Sequence, residues 1–136
     1  MINLPNTKLR RTGLFFLILM FLLAGANHFS NPNFYVSIMP PYLPFQSELS
    51  YITGFFEIIG AFGLLFAQSR KIAGFGLVIL LVLIFPANIH MALNPEYFPE
   101  YSRITIYLRL PLQFLFISWV YWATLRKKAV GDNELY

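Results

Sequence analysis

Four apolar runs, each about 20 residues long, alternate along the chain with short polar or proline-broken segments. A helix rises 1.5 Å per residue, so a run of that length crosses the roughly 30 Å of bilayer hydrocarbon. The pattern predicts transmembrane helices over about 10–29, 48–67, 71–92 and 103–125. Ala24-Gly25-Ala26 has the small-residue form of a signal-cleavage site, but the apolar stretch continues to Phe29, so a retained first span is expected. Residues 30–47 carry no charge, many aromatic rings, and Pro32, Pro40, Pro41 and Pro44. Those prolines exclude a regular helix through most of the connector, which is expected to lie as an interfacial cap. Ser47 beside Glu48 predicts the N-cap of the second helix. Gln68-Ser69-Arg70-Lys71 predicts a tight turn, and Asn94 to Tyr101, with Pro95 and Pro99, a short loop. The expected fold is an all-α four-helix transmembrane bundle, a single domain over residues 1–136.

Charge sets the orientation. Only 12% of residues are charged, half the share of a soluble domain, and 57% are hydrophobic, which assigns the chain to the membrane. The net charge of +4 therefore reads as a topology signal rather than a nucleic-acid footprint. Lys8, Arg10 and Arg11 precede the first helix, Arg70 and Lys71 separate the second from the third, and Arg126, Lys127 and Lys128 follow the fourth. The two other connections hold Glu48, Glu96 and Glu100 against Arg103. Both termini are expected on the cytoplasmic side, with the Pro-rich connector outside. The absence of cysteine excludes a thiol relay, a cysteine nucleophile and a cysteine-ligated metal within this chain. Neither a Gly-rich phosphate loop nor a catalytic triad is present, and no residue is identified as catalytic.

The polar residues inside the spans carry the functional reading. Glu57 lies near the middle of an apolar helix, and an acid at that depth is a functional-site candidate. Thr53, Glu57, Gly60, Leu64 and Ala67 recur at helical spacing, so Glu57 is expected to face the bundle. Arg109 and Gln113 share a face of the fourth helix. At 1.5 Å per residue Arg109 lies roughly 9 Å deep and Glu57 roughly 13 Å, close enough for an expected Glu57–Arg109 ion pair. Asn27 and His28 end the first helix, and Asn88 and His90 end the third. Asn27, His28, Glu57, Asn88, His90, Arg109 and Gln113 thus fall in the outer half and form the candidate ligand-binding set. Pro86 and Pro111 free the carbonyls of Val82 and Tyr107 at the same depth, which suits a polar chamber. Two histidines without a motif are weak grounds for haem or metal ligation, and no metal site is assigned. The alternative is that the cluster is structural, a polar glue fixing how the helices dock.

Ala24-Gly25-Ala26-Asn27-His28-Phe29, the Ile38-to-Pro44 loop, Gly54-Phe55-Phe56-Glu57-Ile58-Ile59-Gly60, Leu64-Leu65, Phe85-Pro86-Ala87-Asn88-Ile89-His90-Met91 and Arg109-Leu110-Pro111-Leu112-Gln113 occur in this order. Together they resemble the DoxX-like family of small bacterial membrane proteins, over about residues 12–125. The resemblance implies a four-helix bundle in the bacterial plasma (inner) membrane and a link to quinone-dependent oxidoreductases, as an accessory subunit. The thiol-redox branch of the wider superfamily does not transfer, because this chain lacks cysteine.

These readings converge on a membrane subunit with an outer-half polar pocket for a quinone-like lipophilic ligand. Arg109, His28, Asn88 and Gln113 are expected to bond the head-group oxygens, and Glu57 to accept or relay a proton. The chain supplies no cofactor of its own, so redox centres are expected from the quinone or from a membrane-protein partner. The lipid bilayer is the other expected partner, and nucleic acid is not. The rival expectation is a non-enzymatic assembly factor, receptor or scaffold.

Overall fold

The computed structural model describes residue 5 and residues 7–126. Lys127 and Lys128, part of the charge pattern above, lie outside the described residues. Helix α1 spans Lys8–Ser30, α2 Pro32–Ile38, α3 Gln46–Leu65, α4 Arg70–Leu93 and α5 Arg103–Val120. A 3-10 turn, Pro95–Tyr97, joins α4 to α5, and a π-helical turn, Tyr121–Leu125, continues α5. No strand occurs among the described residues. Four stretches are long and apolar enough to cross a membrane: Lys8–Ser30, Gln46–Leu65, Arg70–Leu93 and Arg103–Leu125.

The helix ends follow from local chemistry. The Thr7 hydroxyl accepts from the Arg10 amide at 3.3 Å, and the Ser102 hydroxyl from the Thr105 amide at 3.2 Å, capping α1 and α5. Helix α2 departs from expectation, because the connector was read as mostly irregular. Pro32 stands at its start, where a fixed φ and a missing N–H are tolerated, and the next proline is Pro40. Helix α3 begins earlier than expected, at Gln46, and its N-cap is Phe45 rather than Ser47. Phe45 adopts the left-handed conformation (φ 54, ψ 43), unusual for an aromatic residue. The Gln46 side chain holds this corner by donating to the Pro40 carbonyl at 3.0 Å.

At the opposite end, Arg70 closes the α3–α4 turn. Its Nε donates to the Leu64 carbonyl at 2.8 Å and its Nη2 to that of Leu65 at 3.1 Å, while Ser69 Oγ donates to Gly63 at 2.8 Å. These meet carbonyls that a helix end leaves without partners, and they set a cation at the negative end of the helix dipole. Arg10 ties α1 to the π turn through the Ala123 and Arg126 carbonyls, each at 3.2 Å. The molecule thus has a basic end, with these arginines, and a loop end, with α2 and the α4–α5 connection.

Helix α1 packs along α3, α3 on α4, and α4 on α5, while α2 lies across α3 and α4. Two apolar clusters result. One, toward the basic end, joins Leu14, Leu17 and Phe21 of α1 to Leu64, Leu77 and Val120. The other, under the loop end, joins Ile38, Met91, Phe98 and Ile106. Outside, Phe15, Phe55, Phe62, Phe75 and Phe114 are exposed, a surface suited to hydrocarbon rather than water. Most of the buried polar side chains lie between the two clusters.

Candidate functional site

The site begins with two glycines. A Cβ at Gly25 would lie 2.8 Å from the Gly54 carbonyl oxygen and 2.7 Å from Ile58 Cγ1. One at Gly54 would lie 2.5 Å from His28 Cβ. Only hydrogen fits at this crossing, so the α1 and α3 backbones approach directly. The residues one turn beyond each glycine, His28 and Glu57, are thereby brought face to face, with Nε2 and Oε2 3.7 Å apart. Both are buried, with 5% and 4% of their surface exposed. His28 Nδ1 meets the fully buried Ser50 hydroxyl at 3.2 Å, and its ring stacks on Tyr35 at 3.5 Å between centroids. Glu57 Oε2 has no hydrogen-bond partner among the described residues. A buried carboxylate oxygen left in that state is expensive and marks a place where a donor belongs.

A second polar group joins α4 to α5. Arg109 Nε donates to Asn88 Oδ1 at 3.0 Å, the Asn88 amide donates to Gln113 Oε1, and the Gln113 amide donates to the Leu81 carbonyl. The backbone group served here is one residue before the Val82 carbonyl expected from Pro86. The Arg109 guanidinium also lies over the Phe34 ring, 5.5 Å from its centroid. The expected Glu57–Arg109 ion pair does not form: the basic side chain within reach of Glu57 is His28. The reason is packing. The glycine crossing delivers His28 to Glu57, whereas α5 packs on α4, where Asn88 takes Arg109.

Both groups border one cavity of about 550 Å³, within the range of small-molecule sites. His28, Tyr35, Thr53, Glu57, Asn88 and Arg109 supply its polar wall. The rest is apolar, including Met20, Phe56, Leu80 and Ile84, and α2 with the following loop covers it through Ile38, Met39 and Leu43. Of the residues singled out in the sequence, His28, Glu57, Asn88 and Arg109 therefore come together. Gln113 is buried behind Asn88. Asn27 is exposed, and its amide donates to the Tyr35 hydroxyl at 2.7 Å. His90 lies apart from His28: its Nδ1 meets the Ile38 carbonyl at 3.1 Å and holds the end of α2. No group of three His, Asp or Glu side chains suited to a metal occurs among the described residues.

Sequence reasoning missed Tyr35 and Ser50. Ser50 was legible in principle, since it lies one helical turn before Thr53 on the stripe of Glu57. Tyr35 was one aromatic residue among several in the connector. Burial pushes its phenol above the ordinary value, so it keeps its proton. Its oxygen accepts from Asn27, and its own O–H has no acceptor among the described residues.

A family profile described as a domain of unknown function (DUF8561) matches residues 17–124. The chain belongs to the DUF8561 family. The matched DUF8561 span contains every residue that lines the cavity, from Met20 to Phe116. No curated protein and no solved structure matches the chain. Chemically, the DUF8561 cavity is an apolar enclosure whose wall includes Glu57, with Oε2 buried and without a hydrogen-bond partner among the described residues, and the Tyr35 hydroxyl, whose proton is free to donate. A flat, mostly apolar molecule with oxygens at its edge suits that arrangement, one oxygen donating to Glu57 and another accepting from Tyr35 or Arg109.

Proposed function

We propose that this is an integral membrane protein, N-in and C-in, whose outer-half cavity binds the head group of a quinone or quinol. The unpartnered Glu57 oxygen carries this reading, because a buried acceptor on a residue that lines a cavity of ligand size calls for a donor such as a ligand hydroxyl. The positive-inside charge pattern supports the orientation, with Arg10, Arg70 and Arg126 at one end. The resemblance to the DoxX-like family supports the ligand class and a role as an accessory subunit of a quinone-linked complex in the bacterial inner membrane. Glu57 accepts the hydrogen bond of a quinol hydroxyl, with His28 beside it at 3.7 Å. Tyr35 and Arg109 hold the second oxygen.

A scaffold or assembly role is the second reading. The Arg109–Asn88–Gln113–Leu81 chain favours it, since these groups satisfy one another without a ligand. Mass spectrometry of the organic extract from protein purified in native lipid separates the two. A stoichiometric quinone, lost from an Arg109→Met variant, is the expected result. Bulk phospholipid alone from both proteins moves the assignment to the scaffold.

A further inference from the structure

A second cavity, of about 490 Å³, lies along the α3–α4 seam toward the basic end. It adjoins the first, and Phe56, Leu80 and Leu83 line both. Its walls carry Ile59, Ile72 and Ile79, and its polar content is slight. Gly60, Gly63 and Gly76 leave its floor low. Gly60 is filled by Leu77, and Gly63 by Ala73, as contacts of helix packing. Gly76 differs: a Cβ there would meet nothing within 4 Å. Helix packing does not require that glycine, and the space beside it is open.

We infer that this seam holds the hydrocarbon tail of the ligand whose head lies by Glu57, so the ligand is a single-tailed membrane amphiphile that enters sideways from the bilayer. The inference rests on the head-group reading above and adds the shape and route of the ligand. The shared wall with a chamber lined by Glu57, whose Oε2 is buried and unpartnered, separates this seam from an ordinary stripe of small residues. Phe56 and Leu83 are both exposed on the outer face, so the shared wall opens toward lipid. The direction also fits: a polar head toward the loop end and a tail toward the basic end is how an amphiphile of the outer leaflet lies. A second transmembrane helix is a poorer occupant. It is about 10 Å across with its side chains, and the slot lies between two helices already packed on each other.

The test uses the full-length protein in nanodiscs and a phytyl-tailed naphthoquinone with a diazirine midway along its tail. Menadione, the same ring without the tail, and unlabelled phylloquinone serve as competitors. The expected result is saturable labelling of Ile59, Ile79 or Leu83, displaced by phylloquinone and lost in Gly76→Leu. Leucine is a good helix former at an open position, and an unchanged thermal midpoint shows that the variant is folded. Label spread without saturation over Phe15, Phe62 and Phe114 overturns the tail site, as does seam labelling that Gly76→Leu leaves intact. If menadione binds in an Arg109-dependent way while the tail label is scattered, the tail site falls and the head site stands. If the seam labels specifically but neither menadione nor Arg109→Met changes it, the head site falls and the tail site stands. Binding of neither quinone overturns both. A dimer that Gly76→Leu converts to a monomer assigns the seam to a second copy instead and overturns the tail site.

Discussion

Glu57 and His28 meet at 3.7 Å because Gly25 and Gly54, one turn before each, let two helix backbones touch. That separation is too long for a good hydrogen bond, so the buried Glu57 Oε2 is left without a hydrogen-bond partner among the described residues. Glu57→Gln keeps the volume and replaces the carboxyl with an amide. Loss of one hydrogen bond to the ligand is worth about 0.5–1.5 kcal/mol, or roughly two- to tenfold in affinity. The variant is expected to fold with a similar thermal midpoint, since the amide is close to isosteric with the carboxyl, and to bind phylloquinone correspondingly less. Unchanged binding would remove Glu57 from the site.

The glycine crossing makes a sharper structural prediction. Gly54→Ala drives a methyl group into His28 and the Gly25 carbonyl. Overpacking of this kind costs about 1–3 kcal/mol, and here it also parts His28 from Ser50 and Glu57. Gly76→Ala is the control, because its methyl group meets nothing within 4 Å. That change is expected to be neutral or stabilising by about 0.5–1 kcal/mol through helix propensity. Unfolding in mild detergent should therefore order the proteins as Gly76→Ala, wild type, Gly54→Ala. Equal stability of Gly54→Ala and wild type would contradict the close crossing.

Asn88 is the hinge of the second network. It accepts from Arg109 and donates to Gln113, so Asn88→Ala leaves two buried or half-buried groups without their partner. Each orphaned group costs about 1–3 kcal/mol. Gln113→Met leaves the Asn88 amide and the Leu81 carbonyl without their partner and is expected to cost a similar amount. A double-mutant cycle between positions 88 and 113 should show coupling, and strict additivity would deny the network a stabilising role.

The reach of the sequence can be judged from particular residues. The stripe through Thr53, Glu57, Gly60 and Leu64 was legible, because helical spacing in an apolar run fixes which side faces the bundle, and all four are buried. Ala67 fell outside it, since α3 ends at Leu65 and Phe66 turns extended. The partner of Glu57 was not legible. Depth along a helix can be counted from residues, but which neighbour lies opposite depends on how the helices are rotated and paired. That was set by a glycine contact whose counterpart lies in another helix. Helix α2 was hidden for a different reason: seven residues beginning at a proline give too short a period to read, so Tyr35 passed as an interfacial ring.

The orientation rests on charge and is open to a direct measurement. The chain has no cysteine, so a single introduced thiol reports without background. Ser37 is exposed on α2 at the loop end, and Gln68 is exposed in the α3–α4 turn at the basic end. Arg10, Arg70 and Arg126 gather at the second end, and cations of that density are retained on the cytoplasmic side. In intact cells a membrane-impermeant maleimide is therefore expected to label Ser37→Cys, and to reach Gln68→Cys only after the membrane is broken. Neither substitution touches the cavity wall, so folding is not at stake. The outcome also bears on the ligand. With the loop end outside, the Glu57 chamber lies toward the outer leaflet. Labelling of Gln68→Cys in intact cells would reverse the molecule, and the same chamber would then lie toward the inner leaflet.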